Sequence, residues 1–484
     1  MAILKDKTIS GFFWSLLQNV GSRGVTFVVM IVLARLLTPE IFGLIGMLMI
    51  FIQLSQILVQ AGFNQALIQK KEIDEEDYSS VFWINLGVSL LIYGILFAGA
   101  PWISIFYEQP VLTKLTRVLS LVFIINAFSY VQEARLTREM RFKTLTIIHI
   151  PSTVIGGALS VTMALMDYGV WSLIALQITT RLAYTIQIWF YAKWKPLLSF
   201  NTAKAKTLFS FGGKLMLNGI INTVFQNSYL VVIGKFFPVS AVGYYQYAQK
   251  LVKVPSSTIS GALYRVAFPA FSSIQDDNRR LRENFKKLIQ QVTFWLCPTF
   301  VLAGVLAEPL FSFVLGKQWL PAVPYFQWLC AMGIFIPLNQ FNPTMIKSKG
   351  HAGLLVKMEI LKKTIMALGI IIAIPFGVMA LIISQVTTFV MAYIINGYFT
   401  GKVIGYTLKR QVKDLIVIFL LAITAGLFVY FLDQSLLDLA NIFRLVLGGT
   451  MGGAFYILIA RILKLNPCLE FVKIINNKRS FFKI

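Results

Sequence analysis

Two runs of 29 residues, 41–69 and 318–346, contain no Asp, Glu, Lys or Arg. A helix rises about 1.5 Å per residue, so roughly 20 apolar residues cross the hydrocarbon core of a bilayer. Each run exceeds that length, which makes lipid the natural solvent for this chain. Further apolar stretches repeat the pattern. They predict helices near 10–37, 41–64, 79–106, 113–133, 144–166 and 168–192. A second set follows near 207–234, 239–263, 288–314, 319–346, 355–375 and 378–400, with a final pair near 415–432 and 442–461. The expected fold is all-α, a polytopic membrane protein with 14 transmembrane helices. Composition agrees, because 57% of the 484 residues are hydrophobic and only 13% are charged, far from the soluble average.

The net charge of +24 would suggest nucleic acid in a soluble protein, so its placement decides its meaning. With a cytoplasmic N-terminus, 33 of the 44 Lys and Arg residues fall on inner segments. Six fall outside, namely Arg35, Lys114, Arg117, Lys235, Lys317 and Arg444. By the positive-inside rule both termini are cytoplasmic and the charge reports topology, leaving nucleic acid no role. Arg23 interrupts the first apolar stretch and no small-residue cleavage site follows, so no cleavable signal peptide is expected.

An internal repeat emerges at an offset of 200 residues. Val32 to Leu37 aligns with Val232 to Phe237, Gly43 aligns with Gly243, and Pro39 and Pro238 fall one place apart. A basic residue at an outer helix end, a proline turn and a glycine opening the next helix recur together. The expected organisation is an N-lobe at 1–200, a C-lobe at 201–404, and a C-terminal helix pair with tail at 405–484. Each lobe has six helices. An even number starts both lobes on the same side, so a pseudo-twofold axis along the membrane normal would relate them.

Five cations fall inside predicted helices: Arg23, Arg181, Lys214, Lys250 and Lys253. Each costs about 2.5–3.5 kcal/mol at the centre of a bilayer on insertion scales, so such residues mark cavities and pathways. Helical spacing extends them into polar stripes, since residues three or four apart share a face. One stripe holds Lys214, Asn218, Asn222 and Gln226, and another holds Gln246, Lys250, Lys253 and Ser257. Gln53, Gln56, Gln60 and Asn64 form a third, and Asn19 joins Arg23. The alternatives are amides bonded between helices, and snorkelling for Lys214. A cationic cavity attracts phosphate or pyrophosphate, with Arg supplying a fork and Lys a point charge.

Acids are scarce in the same places. Glu133, Asp167, Glu308 and Glu359 all lie near predicted helix boundaries, so none is nominated for proton or sodium coupling. Cys297, Cys330 and Cys468, with His149 and His351, form neither a disulfide framework nor a metal site. No GxxxxGK[ST] loop suggests direct ATP use, and no cofactor is implied. Pro255, Pro298, Pro337 and Pro343 fall in or near helices, where each permits a kink. The segment 264–287 is expected to be a cytoplasmic loop facing anionic lipid headgroups.

The segment Leu33-Ala34-Arg35-Leu36-Leu37-Thr38-Pro39-Glu40-Ile41-Phe42-Gly43 resembles the polysaccharide transporter family, which contains Wzx-type oligosaccharide-lipid flippases. Residues 61–69, Gly243-Tyr244-Tyr245 and Phe268-Pro269-Ala270-Phe271-Ser272 are similar to that family's pattern. The resemblance implies the multidrug/oligosaccharidyl-lipid/polysaccharide exporter fold, with two lobes around a central cavity and alternating access. It further implies a polyprenyl-pyrophosphate-linked oligosaccharide as substrate, carried across the bacterial inner membrane for surface polysaccharide synthesis. A coupling ion, proton or sodium, and the polysaccharide assembly machinery are the accompanying partners. The five cations match no fixed family motif and rest on the stripe argument. Two other functions compete. A drug exporter of the same superfamily would favour intramembrane carboxylates, and a membrane polymerase or glycosyl transferase would need catalytic groups on an extended outer loop.

Overall fold

The computed structural model describes residues 2–60, 67, 73–198 and 202–470, and every regular element among them is a helix. The first eight are α1 (Ala2–Leu36), α2 (Pro39–Gln60), α3 (Glu75–Tyr107), α4 (Val111–Leu119), α5 (Leu121–Arg138), α6 (Phe142–Leu165), α7 (Val170–Ala192) and α8 (Thr202–Phe236). Then come α9 (Val239–Ser273), α10 (Asn278–Val305), α11 (Ala307–Val314), α12 (Val323–Ser348), α13 (Ala352–Ala373), α14 (Val378–Ile404), α15 (Leu408–Ser435) and α16 (Asn441–Ile462).

Among the described residues, nine spans are long and apolar enough to cross a membrane, with α4 and α5 forming one of them. Five other helices, α1, α7, α8, α9 and α13, have 35, 23, 35, 35 and 22 residues. Their length suffices for a bilayer. What dilutes their apolar character is polar side chains, including all five cations singled out above, which lie on α1, α7, α8 and α9.

Several predicted boundaries move, and two of the shifts bear on the site. The helix expected over 113–133 runs to Arg138, because nothing after Glu133 breaks it and Arg135 in its last turn is held by Glu139 and Glu75. The loop expected over 264–287 is mostly helical. The α9 helix continues to Ser273, and Asp277 then starts α10 by accepting from the backbone N–H groups of Arg279 and Arg280. Helices extend past the hydrocarbon wherever their polar ends are satisfied by such caps.

The chain forms two compact units, Met1–Gly243 and Tyr244–Ile484. In the first, α6 packs against α1 and α7, α3 packs against α5, and α2 packs against α8. The end at the start of α3 is secured by polar contacts: Trp194 Nε1 donates to Glu75 Oε2 at 2.6 Å, and Asp74 and Asp77 form a reciprocal capping box. At the opposite end of α3, Lys235 donates to Glu108 at 2.7 Å, which holds the Glu108 carboxyl below the usual range.

The starts of α2 and α9 cross backbone to backbone. A Cβ on Gly43 would stand 2.1 Å from the Val239 carbonyl oxygen, and one on Gly243 would stand 2.0 Å from the Pro39 carbonyl oxygen. The contact is reciprocal, since position 39 meets 243 and position 239 meets 43. Only glycine permits this approach, and the obstructing atoms are main-chain atoms that cannot rotate away.

In the second unit, α10 packs against α12 and α15, α12 against α14, and α15 against α16. Amides stitch the apolar helices together: Asn396 Nδ2 donates to Asn339 Oδ1 at 2.9 Å, and Gln411 Nε2 donates to Asn342 Oδ1 at 3.2 Å. At one end of the last pair, Arg444 makes a two-pronged pair with Asp433 at 2.9 and 2.6 Å. Both side chains are buried, so the charge of Arg444 is neutralised within the protein.

Gly43→Ala and Gly243→Ala are each expected to destabilise the protein by about 1–3 kcal/mol, the usual cost of overpacking. Thermal unfolding of the purified variants checks this. A wild-type unfolding temperature for both would contradict a backbone crossing.

Candidate functional site

The polar stripes divide when placed on the structure. On α2, Gln53 and Gln56 are half-buried, and Gln53 Oε1 accepts from Asn227 Nδ2 of α8 at 2.9 Å. The side chains of Gln60, Lys214 and Asn218 lie outside the described residues. Asn222 is half-buried and Gln226 exposed. The residue that α8 turns toward α2 is therefore Asn227, which the sequence reading missed. Four residues advance a helix by about 400°, so a strict step of four drifts by roughly 120° between Lys214 and Gln226. Asn227 is buried and also donates to Thr223 O at 2.8 Å. For Gln53, the interhelical amide bond is the role the structure displays.

Arg23 and Arg181 occupy different surroundings. Arg23 is exposed on α1, while its neighbour Ser22 is buried with Oγ 3.3 Å from Nδ1 of His149 on α6. The His149 ring meets Tyr184 of α7 edge-on at 5.2 Å. Half-buried Arg181 lies one turn before Tyr184 and acts electrostatically on both His149 and Glu133 of α5. The Glu133 carboxyl faces the Tyr184 hydroxyl, which is enclosed and meets no donor or acceptor at full hydrogen-bond geometry. Glu133, His149, Arg181 and Tyr184 thus form one cluster inside the first unit.

Glu133, not nominated for coupling because it fell at a predicted helix end, lies within the candidate span that runs to Arg138. The helix boundary drawn at 133 placed it at the water interface. The available signal was the absence of any Gly or Pro before Arg138, together with Gln132 and Asn126 on the same helix.

Lys250 and Lys253 stand on α9 in the second unit, about 60° apart around the axis at that spacing. Lys250 is exposed and Lys253 half-buried, and neither makes an ion pair with a described residue. Nearby, the Tyr245 hydroxyl donates to Gln385 Oε1 at 2.9 Å, leaving the two ammonium groups as the cationic feature of this stretch. Pro255 lies two residues further along the helix. Among the described residues no group of His, Cys, Asp or Glu could hold a metal ion, and the three cysteines are buried thiols.

Helices long and apolar enough to cross a membrane, polar clusters on them and two lysines without a carboxylate partner among the described residues are the features of a membrane transport protein. The fold is shared with the lipid II flippase MurJ in an inward closed conformation, at a TM-score of 0.68 and 14% identity, covering 93% of this chain and 99% of that one. It is also shared with an inward-facing multidrug resistance MATE family transporter of the MOP superfamily, at a TM-score of 0.62 and 16% identity over 79% of this chain and 94% of that one. The model of a family described as "Polysaccharide biosynthesis protein" matches residues 32–324, and the chain belongs to that family.

The lipopolysaccharide biosynthesis protein WzxC of Escherichia coli strain K12 is 26% identical over 419 residues, 85% of each chain. The succinoglycan biosynthesis transport protein ExoT of Rhizobium meliloti strain 1021 is 28% identical over 71% of this chain and 69% of its own length. The teichuronic acid biosynthesis protein TuaB of Bacillus subtilis strain 168 is 29% identical, over 62% of either chain.

Charges that act on each other inside a protein are coupled energetically, and a double-mutant cycle isolates that coupling. Glu133→Gln, Arg181→Gln and their combination are expected to show an interaction energy of about 1 kcal/mol in unfolding measurements. Strict additivity would contradict the cluster.

Proposed function

We propose that this chain is a flippase that carries a polyprenyl-pyrophosphate-linked oligosaccharide from the cytoplasmic to the outer leaflet of the bacterial inner membrane. Surface polysaccharide synthesis is the process it serves. The observation that carries this reading is the pair Lys250 and Lys253, two membrane-helix cations without a carboxylate partner among the described residues. A cation left unpaired in a membrane helix is costly unless water or an anionic ligand meets it. A pyrophosphate meets that need, while the sugars suit the amides of α2 and α8 and the prenyl chain remains in lipid. The transport named for ExoT and the lipid flipping named for MurJ support the same class of cargo.

The architecture we infer has 14 spans, counting the nine apolar ones and α1, α7, α8, α9 and α13. Lobes at 1–200 and 201–404, with an appended pair at 405–484, accord with the 200-residue repeat. The reciprocal contact of Gly43 and Gly243 supports a pseudo-twofold axis, because a residue pair related by a twofold exchanges roles across it. Alternating access is then a rocking of the lobes, with both termini cytoplasmic. Transport is secondary, with no catalytic site, and Glu133 is the carboxylate we assign to ion coupling. Arg23, Arg181 and Lys214 complete the cationic path, and the polysaccharide assembly machinery receives the product.

A charge-assisted hydrogen bond contributes about 1.5–3 kcal/mol, so losing one weakens pyrophosphate binding roughly tenfold to a hundredfold. Lys250→Ala with Lys253→Ala is expected to reduce export by at least that factor with membrane insertion intact, and Lys250→Arg to retain it in part. Export assayed as surface glycan per amount of inserted protein is the measurement. Normal export from the double variant would reject a role for these cations.

A further inference from the structure

The second unit holds a basic pocket that the proposed translocation does not use. It has a volume of about 610 Å³ and lies where the start of α10, the turn after α14 and the start of α15 meet. Its wall carries Arg279, Arg282, Lys286, Arg410 and Lys413 against only Glu283 and Asp414. Both carboxylates are already committed. Arg279 Nε donates to Glu283 Oε1 at 3.1 Å, while Asp414 accepts from Lys286 Nζ at 2.6 Å and from the Tyr406 hydroxyl at 2.7 Å. The adjacent Asp277 pairs with Arg280. Arg282, Arg410 and Lys413 make no ion pair with any described residue.

Gly405 draws two of these three together. It caps α14 in the left-handed conformation at φ 72°, and a Cβ placed on it would stand 3.3 Å from Arg282 Nη1. Its carbonyl oxygen accepts from Arg410 Nη1 at 3.3 Å. Arg282 donates from Nε to Asn278 O at 3.2 Å. Each guanidinium has five N–H donors, so most of both forks remain available. Two residues on, α15 begins behind Thr407 without a side-chain cap, which adds the positive end of a helix to the same corner.

We propose that this pocket binds a phosphate-bearing anion. Two guanidinium forks and a lysine point charge match a tetrahedral oxyanion better than a planar carboxylate. The volume exceeds a bare phosphate and accommodates a headgroup with its glycerol. The positive-inside distribution puts this end at the cytoplasmic surface, where phosphates of anionic lipids are concentrated. The occupant ties the end of α14 to the start of α15, and so secures the C-terminal pair to the helices before it.

The test is thermal unfolding of the full-length purified chain in detergent, titrated with phosphatidylglycerol micelles and, separately, with sodium pyrophosphate. The wild-type protein is expected to be stabilised saturably by one of them. Arg282→Gln with Arg410→Gln shifts half-saturation at least tenfold, while Lys402→Gln, a cation outside the lining, leaves it unchanged. A response to phosphatidylglycerol alone identifies a lipid headgroup, and one to pyrophosphate identifies a free phosphate compound. Where the double variant fails to fold, Lys413→Gln supplies the comparison. The Lys250→Ala, Lys253→Ala protein retains the response, which separates this pocket from the translocation path. A response equal in wild-type and pocket variants, or no saturable response to either probe, overturns the proposal.

Discussion

Hydrocarbon cannot hydrogen-bond, and every other property of this protein follows from that constraint. Backbone groups inside the membrane must be satisfied within their own segment, so the chain is helical among all its described elements. Polar side chains must likewise find partners, water or ligand. Many do find partners: Arg444 takes Asp433, Asn227 takes Gln53, Asn396 takes Asn339, and Gln411 takes Asn342. Against that background Lys250 and Lys253 stand apart, and their lack of a carboxylate among the described residues is informative because the solvent makes it costly.

Lipid also removes the usual hydrophobic drive between helices, which leaves close packing and hydrogen bonds to hold them. The crossing at Gly43 and Gly243 is the extreme case, where two main chains touch. Gly156 against Thr180 and Gly452 against the Val429 side chain are further close approaches, one within each unit. The cluster of Glu133, His149, Arg181 and Tyr184 sits inside one unit, on α5, α6 and α7.

Much of the architecture was legible because its cause is local. Apolar length located the helices, and the 200-residue offset found the glycines that meet in space. The errors have physical reasons. Hydropathy stops at the edge of the hydrocarbon, whereas α9 and α10 continue beyond it on caps and ion pairs, so 264–287 read as a loop. The same habit put Glu133 at an interface. A step of four hid the rotation of α8, which presents Asn227 where Gln226 was expected. Arg444 gave no sequence sign of its partner, because Asp433 lies on the preceding helix and only tertiary packing joins them.

The central claim is that Lys250 and Lys253 mark a path for a pyrophosphate-linked glycan. Its most direct test is the leaflet distribution of lipid-linked sugars in cells lacking this chain, read alongside surface polysaccharide. The account predicts that the lipid-linked intermediate is trapped on the cytoplasmic leaflet and surface glycan is lost, with both restored by the wild-type chain. Normal glycan with raised drug sensitivity, or unelongated units on the outer leaflet, would contradict it.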